Sequence, residues 1–126
     1  MSGAGADPLE ARLNKGIEHK NKGEYEQAVA EFKELLAADP KHAHAHLNLG
    51  LVYGFVGMFD ESLTELEKAV ECKPDFLEAY LNLGKTFCML GMYQEAKRSF
   101  EAVLQIQPGH WEAKKQLLYL AQSLSQ

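Results

Sequence analysis

The sequence predicts an all-α fold, with three two-helix repeats stacked as a solenoid and one further helix at the C-terminal end. Three observations predict it. Pro40, Pro74 and Pro108 stand 34 residues apart, and three other sets keep that interval: Gly23, Gly57 and Gly91; Tyr25, Phe59 and Tyr93; Phe32, Leu66 and Phe100. Within each unit apolar residues recur at helical spacing, as in Ala45, Leu49, Val52, Tyr53 and Val56. Nothing alternates with period two, so no strand is expected.

Each element follows from local chemistry. Asp7 before Pro8 is a helix start, an N-cap acceptor followed by a proline whose missing N–H is harmless in the first turn. Residues 1–8 are expected to form a flexible N-terminal segment, and residues 9–126 one domain. Its repeats span 9–42, 43–76 and 77–110, with a last helix over 111–125. In the first helix Arg12, Lys15, Glu18 and His19 stand where the second repeat has His46, Leu49, Val52 and Tyr53. A polar face there suits a terminal repeat with no neighbour to cover it.

In the second unit Gly57 stops the first helix, where the absence of Cβ permits a left-handed conformation. Glu61 to Glu71 then carries a second apolar stripe of Leu63, Leu66, Ala69 and Val70. Pro74 ends that helix because it has no N–H to continue the ladder. The small pairs Gly50 with Ser62 and Gly84 with Ala96 let the two helices of a unit approach closely. In the last helix Leu117, Leu118 and Ala121 are expected to pack on the third repeat. Tyr119, Leu120 and Leu124 are expected to form an exposed apolar seam, either a self-association surface of a homo-oligomer or a frayed end.

Leu-Gly in the first helix (Leu49-Gly50, Leu83-Gly84), a small residue and an aromatic in the second (Ala28 and Phe32, Ala96 and Phe100), then proline, all at a 34-residue period, resemble the tetratricopeptide repeat. The resemblance covers residues 9–110 and the helix after them. It implies a right-handed α-solenoid whose first helices line a concave groove, and a scaffold that binds a protein or peptide there.

Composition narrows the function classes. The 126 residues are 46 % hydrophobic and 25 % charged, a globular balance. Thirteen Lys and Arg face eighteen Asp and Glu, for a net charge of -5 with only two arginines, so no nucleic-acid partner is expected. No run approaches the roughly 20 apolar residues of a membrane span. The N-terminus lacks a basic and apolar leader pattern, and Cys72 and Cys88 have no CxxC spacing. A cytoplasmic address is expected, with reduced thiols.

His42, His44 and His46 are the tempting chemical cluster, since His42 and His46 share a helix face at a metal-binding interval. No third ligand is evident, so neither a metal nor any other cofactor is expected. No Ser–His–Asp order, nucleophile elbow or phosphate loop is present, and catalysis is not expected.

The inward column of the first helices is the expected partner site. The first repeat places Leu13, Asn14 and Ile17 there; the second places Leu47, Asn48, Leu51 and Phe55; the third places Leu81, Asn82, Lys85 and Met89. The leucines and Phe55 would form an apolar floor, with Met89 an adaptable contact. Asn14, Asn48 and Asn82 form a column that either clamps the backbone of an extended segment or bonds a neighbouring helix. The ligand is expected to be an apolar-anchored extended segment or a short amphipathic helix. Family members that hold acidic chaperone tails use a carboxylate clamp of Lys, Asn, Asn, Lys and Arg. The matching positions here are Leu13, Ile17, Asn48, Glu78 and Asn82, which would repel a carboxylate at Glu78.

Overall fold

A computed structural model describes residues 7–124. Residues 1–6 of the expected N-terminal segment lie outside the described residues. Seven helices run in order: α1 (Pro8–Asn21), α2 (Tyr25–Ala38), α3 (Ala43–Phe55), α4 (Phe59–Cys72), α5 (Leu77–Met89), α6 (Tyr93–Ile106) and α7 (Trp111–Leu124). They pair as α1 with α2, α3 with α4 and α5 with α6, each pair stacked on the next, with α7 against α6. This is the all-helical solenoid of three repeats and a capping helix. No helix among the described residues is long and apolar enough to cross a membrane.

The caps act as the sequence requires. Asp7 accepts a hydrogen bond from the Leu9 N–H at 2.9 Å, and Pro8 is the first helical residue. At the end of α3, Gly57 takes φ 83°, which lets the Met58 N–H reach the Tyr53 carbonyl at 2.8 Å and the Gly57 N–H reach that of Gly54 at 3.1 Å. These two bonds satisfy carbonyls that a helix end leaves orphaned, and α1 and α5 close with the same pair of bonds. After each second helix the residue before proline turns extended, as at Lys73 with φ -140°.

Burial follows the stacking. Phe32, Leu35 and Ala28 of the first hairpin enclose Ala45, Leu49 and Val52 of α3. The opposite flank of α3 sends Leu47 into a second cluster with Leu66, Leu83, Phe87, Phe100, Val103 and Leu120. Helix α3 is therefore a shared wall, and Ala45 through Gly50 are all buried. The polar face of α1 is engaged by α2: Arg12 pairs with Glu31 at 2.9 Å and also with Glu34. Half-exposed pairs of this kind contribute little, roughly 0–1 kcal/mol, so they tolerate water rather than drive folding.

The last helix corrects the expected seam. Leu120 is only 5 % exposed and belongs to the core, whereas Leu118, expected inside, is 63 % exposed, and Ala121 is exposed as well. Tyr119 and Leu124 do reach solvent. The reason lies in the 34-residue register. Leu120 falls in the column of Val52 and Thr86, which are buried, while Leu118 falls in the column of Gly50 and Gly84. That glycine column faces the second helix of its own repeat, and among the described residues α7 has none.

Candidate functional site

The inner face is built by α1, α3 and α5 lying side by side, with α7 joined to α5 through Lys85 Nζ and Glu112 at 2.9 Å. The side-by-side arrangement decides which inward residues a ligand can touch. Leu13 is buried and Leu47 is 2 % exposed, each sunk in a core cluster. Both were expected as groove floor; they are corrected to packing residues, because the next first helix covers that flank. Ile17, Leu51 and Leu81 are half-buried against the same clusters. Phe55 and Met89, at the far end of the face, are 59 % and 65 % exposed.

The asparagine column divides. Asn48 is buried; its Nδ2 donates to the His44 carbonyl at 2.8 Å and its Oδ1 accepts from Lys20 Nζ at 2.7 Å. Asn82 donates to the Glu78 carbonyl at 2.8 Å and is half-buried, and Asn14 is exposed. Two of the three amides thus spend a donor on their own helix, which is a scaffold role.

Lys20 is a residue that sequence reasoning missed. It reaches from α1 across to Asn48 of α3, and burial pulls its ammonium below the usual lysine range, against the opposing pull of Glu78 on α5. One half-buried cation therefore lies between three repeats. A signal was available: Lys20, Gly54 and Cys88 share one column, so the long side chain stands where the next repeat has none. Cys88 lies in the same column, and burial raises its thiol above the usual range, which keeps it protonated and a poor nucleophile.

Between the second and third repeats the face opens into a cleft of about 220 Å³, lined by Leu51, Phe55, Phe59, Asn82, Lys85 and Met89. Gly54 leaves its floor open, and Ser62 Oγ beneath donates to the Gly50 carbonyl at 2.7 Å. The cleft presents apolar walls with one amide and one ammonium at the rim, a shape for an apolar side chain with a polar neighbour.

The histidines are otherwise employed. His42 Nδ1 accepts from the Ala45 N–H at 3.1 Å as the N-cap of α3. His46 lies 2.8 Å from Glu65 Oε1 and 2.7 Å from the Pro40 carbonyl, tying α3 to α4 and to the preceding turn. The exposed His44 ring rests on Phe76, centroids 4.8 Å apart. Among the described residues no three His, Cys, Asp or Glu side chains are grouped to hold a metal ion.

Family models described as tetratricopeptide repeat match residues 43–76 and 65–98, and one described as TPR repeat matches residues 16–55. No curated protein matches the chain by sequence. Among solved structures, the first TPR of Spaghetti (RPAP3) bound to an HSP90 peptide superposes with a TM-score of 0.88 at 24 % identity, covering 94 % of both chains. The first TPR domain of human RPAP3 gives 0.85 at 25 % identity, over 93 % of this chain and 92 % of that one. MamA gives 0.89 at 20 % identity, over 97 % of this chain and 71 % of that one.

Proposed function

Because the chain belongs to the tetratricopeptide repeat family, we propose that it is a non-catalytic scaffold that seats a segment of a partner protein along its inner face. An apolar side chain of that segment enters the cleft between Phe55 and Met89. The observation that carries this reading is the exposure of those two large apolar side chains at the mouth of an otherwise packed face. Leu51 lines the cleft, with Asn82 and Lys85 at its rim, and Leu81, Ile17 and Asn14 continue the inward column beyond it. Leu13, Leu47 and Asn48 hold the helices that present these residues.

Among the neighbouring structures, the first TPR of Spaghetti (RPAP3) is bound to an HSP90 peptide and the second TPR domain of human RPAP3 is in complex with an HSP70 peptide. This chain's inner face differs from a carboxylate clamp, with Glu78 and Asn82 at two of the positions where that clamp holds cations. The ligand in this reading is apolar-anchored, with no acidic tail. The free thiols Cys72 and Cys88 suit a reducing compartment, and a cytoplasmic address goes with the reading.

The test uses exposed positions, since Leu51 is partly core and its replacement would confuse binding with folding. Phe55→Asp should keep the helical circular dichroism of the wild type. It should weaken capture of the wild type's lysate partners by at least about tenfold, the loss of one central anchor. Equal capture by both baits removes the groove from the reading.

A further inference from the structure

We propose that the outer face of α7 is a second docking surface, built for an acidic amphipathic helix of a partner protein. Ala113 and Leu120 bury one side of α7; Trp111 and Leu118 stand on the other, 70 % and 63 % exposed. They are two helical turns apart on one line, about 10 Å. Lys115 Nζ lies 5.8 Å from the centre of the Trp111 ring, and the exposed Lys114 adjoins it.

The occupant is narrowed by exclusion. A second helix of the kind found in the three repeats does not fit. Gly16 and Gly84 lie so close to such a helix that an added Cβ would meet its phenylalanine ring at 2.5 and 2.6 Å. Leu118 puts a whole side chain in that column, so the face is a ridge where the repeats have a socket. A second copy of the chain is disfavoured, because antiparallel α7 helices pairing Trp111 with Leu118 would set the Lys114 of each copy against the Lys115 of the other. A bilayer is disfavoured too: a strip one side chain wide offers little apolar area to insert.

A helix with apolar residues one and two turns apart matches the strip, its grooves receiving Trp111 and Leu118. Charge selects which helix. The one carboxylate of α7, Glu112, is tied to Lys85 at 2.9 Å, so the ridge is locally cationic on a chain of net charge -5. Carboxylates flanking the partner's apolar stripe complete the surface.

Trp111 is the single tryptophan, so its fluorescence reports this face alone. The full chain is titrated with a synthetic helical peptide bearing a leucine stripe flanked by glutamates, and with its lysine-flanked counterpart. The expected result is a saturable blue shift with the glutamate peptide, weakened by salt. Leu118→Asp, with unchanged circular dichroism, and the lysine peptide should each bind at least about tenfold more weakly. Phe55→Asp should respond like the wild type. No shift, an equal shift with both peptides, a shift lost in Phe55→Asp but kept in Leu118→Asp, a shift only on phosphatidylserine vesicles, or one produced by concentrating the chain alone would each overturn the proposal.

Discussion

Phe100→Ala should cost about 3–5 kcal/mol of folding stability, the usual loss for a fully enclosed phenylalanine. Phe100 is wholly buried on α6; its ring lies against Gly84 of α5, and it belongs to the cluster that joins the second repeat, the third repeat and α7. Removing the ring leaves a cavity between two helices that close packing elsewhere prevents from collapsing. Domains of this size hold roughly 5–15 kcal/mol in all, so the variant should approach the edge of folding. Urea denaturation checks this through a lower midpoint at unchanged slope. A loss below about 1 kcal/mol would mean that the third hairpin relaxes freely and is not the packed centre described here.

Gly84→Ala should destabilise as well, although alanine is the better helix former by about 0.5–1 kcal/mol. The new Cβ would lie 2.6 Å from Phe100 Cε1 and Cζ, and that ring has nowhere to go. Overpacking of this kind costs about 1–3 kcal/mol. Gly50→Ala is the internal control. There Leu66 replaces the aromatic, and the nearest atoms are Leu66 Cγ at 3.0 Å and the Ser62 carbonyl at 3.2 Å. A branched aliphatic chain can rotate where a ring cannot, so the second repeat should lose less than the third. Thermal unfolding of the two variants side by side checks the order. A more stable Gly84→Ala would show that the helices are not held at glycine distance.

Much of this packing was legible from the period alone. A residue that recurs every 34 positions must meet the same neighbour in each unit, and Gly84 against Phe100 is one such meeting. The turn glycines and Asp7 were legible because backbone sterics and cap chemistry act within a few residues. The inner face was less so. Whether Leu13 or Leu47 meets a ligand or the next first helix depends on how closely successive repeats approach, which no single repeat encodes. Asn48 lost its acceptor to Lys20, a residue 28 positions away in a different repeat. In α7 the helix's own periodicity misplaces Leu118 and Leu120. Their 34-residue columns put Leu120 with the buried Val52 and Thr86, and Leu118 with glycines that face a second helix, which α7 lacks among the described residues.

The central claim is that a partner lies on the inner face beside Met89. A photo-crosslinking amino acid placed at Met89, and in a second protein at the exposed Glu67 of α4, tests it most directly in lysate. A seated partner gives a crosslinked species from Met89 that is absent from Glu67 and is lost when Phe55→Asp is added. The same products from both positions, or products from Glu67 alone, would contradict a groove site.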